Sequence, residues 1–253
     1  MKKILTALAL LFAFSAFAQE EVRPLEGDIR YLVTQNWARQ MESLDYLSKQ
    51  RKERIAYMWG GRRSEWKTYT NLYFNAVETK YEDSEERAEP DDEGYSWRKN
   101  AYVLRRNFEK NTVQDVIEML GKTYIVEDSL YMPEWKIHND LKEVAGHICM
   151  KAYWEDTVKN HKIVAWFAQD IPHSGGPERL CGLPGMILEA DINNGAMVIS
   201  ADRIRMKNLT TELEHPKKLK GKKVKEAEYQ EVIRKFIEEK RQAEEPYFWG
   251  MRY

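Results

Sequence analysis

The stretch that most constrains this chain is a loop-forming segment near residue 180. Residues 174–188 read SGGPERLCGLPGMIL, with four glycines and two prolines between Ser174 and Gly185. Neither a helix nor a regular strand tolerates that density of glycine and proline. Pro184 and Gly185 form the pair that a type II turn prefers, and the proline holds Leu183 extended. Because apolar segments flank it on both sides, we predict a shaped loop between two strands, either a structural corner or a binding edge.

The first eighteen residues have the pattern of a secretory signal peptide. Lys2 and Lys3 give a positive start, residues 4–17 are apolar, and an Ala-Phe-Ala cleavage site ends at Ala18. The apolar run is too short for a stable membrane span, and no second run of eighteen apolar residues follows. We therefore expect cleavage near Ala18 and a periplasmic or secreted chain of 235 residues (253 minus 18).

The loop also carries a family resemblance. The motif GLPGMIL at residues 182–188 follows an Ile-Pro pair ending at Pro172 and a Gly-Pro pair ending at Pro177. With AWF, GHICMKA and WKI upstream, it resembles the GLPGLI (Porph_ging-type) family of exported proteins of Gram-negative bacteria, from which it departs at Met186. The resemblance implies a curved antiparallel sheet, similar to that of periplasmic lipoprotein carriers, and no established reaction.

Hydrophobic spacing predicts the elements of the fold. Strand-like composition marks nine segments, which are residues 29–33, 66–81, 95–108, 122–127, 135–139, 144–154, 162–171, 186–193 and 196–206. Helical spacing predicts helices from Asn36 to about Lys52 and over residues 225–240, and residues 111–120 are expected to form a short helix or helical turn. Asn194 and Gly195 predict a hairpin between the last two strands.

These elements predict a sheet-dominated α+β fold. We expect a curved, mostly antiparallel half-barrel sheet, packed with helices near the N- and C-terminal ends, in one domain over residues 19–245. Residues 246–253 form an aromatic tail, PYFWGMRY, which either docks on its own domain or adds to a partner's sheet edge. The first of these two arrangements is the prediction.

Charge excludes one class of partner. The 40 basic and 41 acidic residues are interspersed, which argues against nucleic-acid binding. One exception is residues 217–225, which contain six lysines and are predicted to be a solvated connector. The other is the acid-rich segment of residues 83–94, which is predicted to be a loop.

Two cysteines in an exported protein favour a disulfide. We predict a bridge between Cys149 and Cys181, with two free thiols as the alternative. Together with His147 and His173, the same cysteines could instead form a zinc or copper site, although a CxxC or HxxxH nucleus is missing. We expect no other cofactor.

The preferred function is that of a periplasmic binding or accessory protein. Ser174 beside His173 suggests a hydrolase, but GxSxG is absent and neighbouring side chains on an extended chain point apart, so no catalytic residue is predicted. The resemblance suggests an accessory to outer-membrane transport or envelope assembly, with an outer-membrane or periplasmic protein as partner. The many aromatic residues, interleaved with charges in the predicted strands, suggest a groove for a peptide or lipid-like ligand. The predicted groove lies beside the loop residues Pro172, Gly176, Pro177, Gly182, Leu183, Pro184 and Gly185.

Overall fold

The computed structural model describes residues 25–59, 65–88 and 101–252. The predicted signal peptide, residues 1–18, lies outside these ranges, as do residues 89–100, which include the end of the predicted acidic loop. The described chain is dominated by β-strands, with α-helices near its two ends. This arrangement confirms the predicted fold class.

Within the described residues, twelve strands form a single sheet. They are β1 (Gly27–Asn36), β2 (Glu65–Phe74), β3 (Glu78–Asp83), β4 (Tyr102–Asn107), β5 (Thr112–Met119), β6 (Lys122–Ser129), β7 (Lys136–Val144), β8 (His147–Asp156), β9 (His161–Ala168), β10 (Met186–Ile192), β11 (Met197–Met206) and β12 (Lys222–Val224). Their order across the sheet is β12, β6, β5, β4, β3, β2, β1, β11, β10, β9, β8, β7. Neighbours are antiparallel except β12 and β6, and the sheet is open rather than a closed barrel.

The predicted N-terminal helix is two helices. They are α1 (Trp37–Ser43) and α2 (Lys49–Trp59). Asn36 caps α1 by accepting a hydrogen bond from the backbone N–H of Arg39 at 3.0 Å. Leu44 then adopts an extended conformation and ends α1, yet both Leu44 and Leu47 are buried in the core. The apolar spacing therefore predicted the burial of Leu44 and Leu47 correctly, but the prediction of one continuous helix was wrong.

The C-terminal helix agrees with its prediction. It is α3 (Glu226–Gln242), and it buries Tyr229, Ile233 and Phe236. Its first N–H group, on Glu226, donates to the Asp128 carboxylate from the end of β6 at 3.0 Å, which satisfies an otherwise unpaired helix donor. Within the described residues, no helix combines the length and apolar character that crossing a bilayer requires.

The helix predicted over residues 111–120 is wrong, because this segment is β5. Val113, Asp115 and Ile117 are buried on one face, with intermediate exposure between them, which is the period of a strand. Asn111, predicted as a helix start, instead adopts a φ of 54° in the turn between β4 and β5. Pairing with β4 and β6 on both sides decides the conformation.

Two other segments refine their predictions. The Asn194-Gly195 hairpin is confirmed, since Ile192 pairs with Met197 across a four-residue loop. Most of the lysine-rich connector runs outside the sheet, but its residues Lys222–Val224 form β12.

One face of the sheet, here called the inner face, carries the core. It includes Ile29, Tyr31, Leu72, Phe74, Tyr81, Leu104, Ile117, Val126, Ile163, Phe167 and Ile199. The helices and the aromatic tail pack against these residues, and Tyr247 and Met251 of the tail are 7% and 8% exposed. The tail therefore docks on its own chain, as predicted.

Candidate binding site

The glycine-rich segment is packed over the inner face. It is here called the GLPG loop, residues 169–185 between β9 and β10. Leu183 is 1% exposed. The imidazole of His173 lies between the rings of Phe74 and Phe108, with centroid distances of 5.7 and 5.0 Å. The backbone N–H of Gly182 donates to the carbonyl of Ser174 at 2.8 Å and closes the loop on itself.

Two glycines show why the loop needs its composition. A Cβ added at Gly185 would lie 2.3 Å from the backbone oxygen of Ala168, closer than any side chain can approach. Gly182 has a φ of +94°, in a region that other residues rarely adopt. The close packing of the loop against β9 therefore depends on glycine at position 185, and the backbone conformation at position 182 also favours glycine.

None of the seven predicted loop residues lines the cavity beside the loop. Gly176, Pro177, Leu183 and Gly185 are buried, Gly182 is half-buried, and Pro172 and Pro184 are exposed. The neighbouring cavity is lined instead by Glu178, Arg179 and Leu180, from the middle of the same loop. The GLPG motif thus supports the site without lining it.

The cavity has a volume of about 350 Å³. Its walls are the GLPG loop, strands β4 and β5, the turn from β8 to β9, helix α3 and the end of the tail. Its apolar lining includes Trp154, Tyr229, Ile233 and Met251, and its charged lining includes Glu178, Arg179 and Glu226.

A buried chain of charges ties the loop to the sheet and to α3. Asp115 on β5 is fully buried and pairs with Arg106 of β4 and with Arg179, whose Nε lies 3.0 Å from Asp115 Oδ2. Arg179 Nη1 also donates to Glu226 of α3 at 3.1 Å. Burial lowers the pKa of Arg179, but the charges of Asp115 and Glu226 outweigh burial and raise it above its ordinary value. Arg179 is therefore a cation in the cavity wall that two carboxylates hold in place.

A second cluster surrounds Glu178. This residue is 5% exposed and has a φ of 54°, uncommon for any residue except glycine. Its carboxylate accepts hydrogen bonds from the hydroxyls of Tyr81, at 3.2 Å, and Tyr102. Burial, and next the charge of Glu178, raises the pKa of both phenols well above the ordinary value. The two tyrosines therefore remain donors at neutral pH.

Sequence reasoning missed most of these residues. Asp115 and Arg106 occupy inward positions of alternating strands, where a charge is unusual and points to a buried pair. The signal was available, but predicting residues 111–120 as helical concealed the alternation around Asp115. Glu178 and Arg179 lie within the loop-forming segment, but neither was predicted to be a site residue.

The predicted disulfide is absent from the structure, in which both cysteines are free and buried. The thiol of Cys149 faces the carbonyl of His147, and that of Cys181 faces the carbonyl of Tyr131, each at 3.6 Å. Cys149 of β8 and Cys181 of the GLPG loop belong to separate hydrophobic clusters, so each packs among different residues.

The predicted metal ligands are not brought together either. Across the described ranges, no group of three or more His, Cys, Asp or Glu side chains has an arrangement suited to a metal ion. His147 Nδ1 pairs with Asp170 at 2.6 Å, and His173 Nδ1 accepts a hydrogen bond from Gly175 at 2.9 Å. His173 therefore supports the loop backbone, and so does its neighbour Ser174 through its carbonyl oxygen.

The segment that contains the GLPG loop is similar to a known protein family. A family model described as a protein of unknown function (Porph_ging) matches residues 153–189. This match confirms the predicted resemblance. The Porph_ging segment contains the whole GLPG loop and the turn from β8 to β9, whereas α3 and the tail lie beyond it. No curated protein matches the sequence.

Two solved structures share the fold. They are structures of PNGF-II in space groups C2 and P21, each with a TM-score of 0.54 and with identities of 14% and 15%. The match covers 82% of this chain but 32% and 33% of the PNGF-II chains, so this chain spans about a third of their length. At this identity the likeness shows the fold alone.

Proposed function

We propose that this protein is an exported binding or accessory protein, which takes a ligand or part of a partner protein into the cavity beside the GLPG loop. The observation that carries the proposal is the cavity of about 350 Å³ walled by Glu178 and Arg179. Concave sites of this size, with apolar walls and a few fixed polar groups, are typical of ligand binding. The family resemblance favours a role in outer-membrane transport or envelope assembly, and the aromatic residues favour a peptide or lipid-like ligand.

The cavity wall also carries a buried acceptor that supports this proposal. Gln230 on α3 donates a hydrogen bond from Nε2 to the Glu226 carboxylate, which sets the orientation of the amide group. Among the described residues no donor reaches Gln230 Oε1, although the atom is buried. An unpaired buried acceptor costs free energy, and a ligand with an N–H or O–H group would satisfy it.

The test is native mass spectrometry of the protein purified from the cells that make it. Thr157, an exposed residue at the rim of the cavity, is changed to tryptophan to obstruct it. Thr211→Trp, at an exposed position outside the cavity lining, is the matched control. We expect a bound mass in the wild-type protein and in T211W, and its loss in T157W. A wild-type protein that carries nothing, or a T157W protein that carries the same mass, would contradict the proposal.

Export has its own test. Processing at the predicted site leaves a mature chain that begins at Gln19. Intact mass measured on the protein from the periplasmic and external fractions should correspond to residues 19–253. Full-length protein retained in the cytoplasmic fraction would contradict export.

A further inference from the structure

The end of the tail occupies a site built for a guanidinium group. Arg252 donates from Nη1 and Nη2 to the two carboxylate oxygens of Asp83, at 2.8 and 2.6 Å. Its Nη2 also lies 3.3 Å from Glu178 Oε1. The guanidinium carbon lies 3.6 Å from the centre of the Tyr102 ring. A forked pair with a carboxylate combined with stacking on an aromatic face distinguishes arginine from lysine.

The site is buried and prepared by other elements. The Arg252 side chain is 11% exposed, and that of Glu178 is 4% exposed. Glu178 is presented by the GLPG loop with a positive φ, Tyr102 by β4 and Asp83 by the end of β3. Three separate parts of the fold therefore converge on one cation.

Two features indicate that this arginine can be exchanged. First, Nε of Arg252 is buried but has no hydrogen-bond partner among the described residues, so the hydrogen bonding of this arginine is incomplete. Second, the tail is held independently five residues earlier, where the Tyr247 hydroxyl donates to the carbonyl of Lys159 at 3.1 Å. Displacement of Arg252 would therefore leave the Tyr247 contact in place.

We propose that the Asp83, Tyr102 and Glu178 site is a guanidinium-binding site that accepts an arginine side chain from another polypeptide in place of the chain's own Arg252. Tyr102, Glu178 and Arg252 line the cavity, so the inference rests on the proposed function and names a ligand class for it. Arg252 and Met251 then act as a built-in competitor. Displacing them enlarges the same cavity, because both residues line it.

The test uses the full chain with Arg252→Gln, which empties the site of its own guanidinium. Isothermal titration calorimetry measures binding of the acetylated tetrapeptide Gly-Met-Arg-Tyr, of its lysine counterpart and of argininamide. We expect the arginine peptide to bind R252Q roughly tenfold more tightly than the lysine peptide, and roughly tenfold more tightly than it binds the wild-type protein. Binding of the arginine peptide but not of argininamide identifies an arginine within a polypeptide as the ligand. Equal affinities for the peptide and for argininamide identify free arginine as the ligand and overturn the proposal.

Matched double variants locate the binding. R252Q/D83N removes the carboxylate that pairs with both terminal nitrogens, and it should lower the affinity for the arginine peptide by roughly tenfold. R252Q/D45N changes an exposed carboxylate that is paired with Arg241 and should leave the affinity unchanged. A folded R252Q protein that binds neither peptide, or both alike, overturns the proposal. Should R252Q fail to fold by circular dichroism, R252K takes its place in the same titrations.

This result is separable from the proposed function. A wild-type protein that carries no native ligand would refute the binding role and leave the arginine preference of R252Q intact. Failure of the peptide titration would refute the guanidinium site and leave any native ligand in place.

Discussion

His173 makes the stability of the GLPG loop depend on pH. The side chain is 5% exposed, and its Nδ1 accepts the backbone N–H of Gly175. Burial lowers the pKa of His173 from its ordinary 6.5 to about 4, so the loop packs around a neutral ring. In the unfolded chain the same ring binds a proton near pH 6.5. The free energy of unfolding should therefore contain a contribution that acid removes.

The magnitude follows from the two pKa values. A histidine with a depressed folded-state pKa contributes its full stabilisation above the unfolded value, and loses it as the pH falls through the folded value. The difference between 6.5 and about 4 corresponds to about 3.4 kcal/mol in the limit of low pH. By the same relation, about 2 kcal/mol is lost at pH 5 and about 3 kcal/mol at pH 4.

His173→Asn provides the comparison, because asparagine keeps an acceptor near the position of Nδ1 and does not titrate. Urea unfolding of both proteins, followed by tryptophan fluorescence, gives the free energy of unfolding at pH 7 and pH 5. We expect the wild-type protein to lose about 2 kcal/mol more than the variant between these values. The lost ring contacts lower the stability of H173N at both pH values and cancel in this difference. Equal losses in the two proteins would refute a buried, neutral His173.

Three further predictions follow from the same packing. Asp115→Asn leaves the buried Arg106 without its carboxylate and should lower the free energy of unfolding by about 3–5 kcal/mol in urea titrations. Leu183→Ala should cost about 2–5 kcal/mol in the same assay, whereas the exposed Pro184→Ala should cost about 1 kcal/mol or less; equal costs would contradict a packed loop. Alkylation in denaturant without reductant should add two groups, at Cys149 and Cys181, to the intact mass, and an unmodified mass would show a bridge instead.

Local sequence patterns predicted the parts of the fold that depend on neighbouring residues. The Asn194-Gly195 turn, the apolar stripe of α3 and the glycine-proline density of residues 174–185 each specify a backbone conformation by themselves. The pattern of residues 112–119 was ambiguous, because Asn111 and Gly121 resemble helix boundaries. Pairing with β4 and β6 makes this segment a strand, and that pairing cannot be read from the residues of the segment itself.

The candidate site could not be predicted in the same way, because its residues meet only after folding. Glu178 is 76 positions from Tyr102 and 74 positions from Arg252. No spacing rule connects them, and Arg252 stood in a segment noted for its aromatic residues rather than for its charge. A charge at an inward strand position, as at Asp115, was the one local sign of the network.

Amide hydrogen exchange of the GLPG loop tests the central claim most directly, namely that this loop is a packed element of the core that shapes the cavity. The N–H of Gly182 donates to Ser174 at 2.8 Å, and the N–H of Ile187 donates to Gly175 at 3.0 Å. We predict that both amides exchange only through opening with a free energy close to that of global unfolding. Exchange of either amide as fast as that of the exposed Asn194 in the hairpin turn would contradict the account.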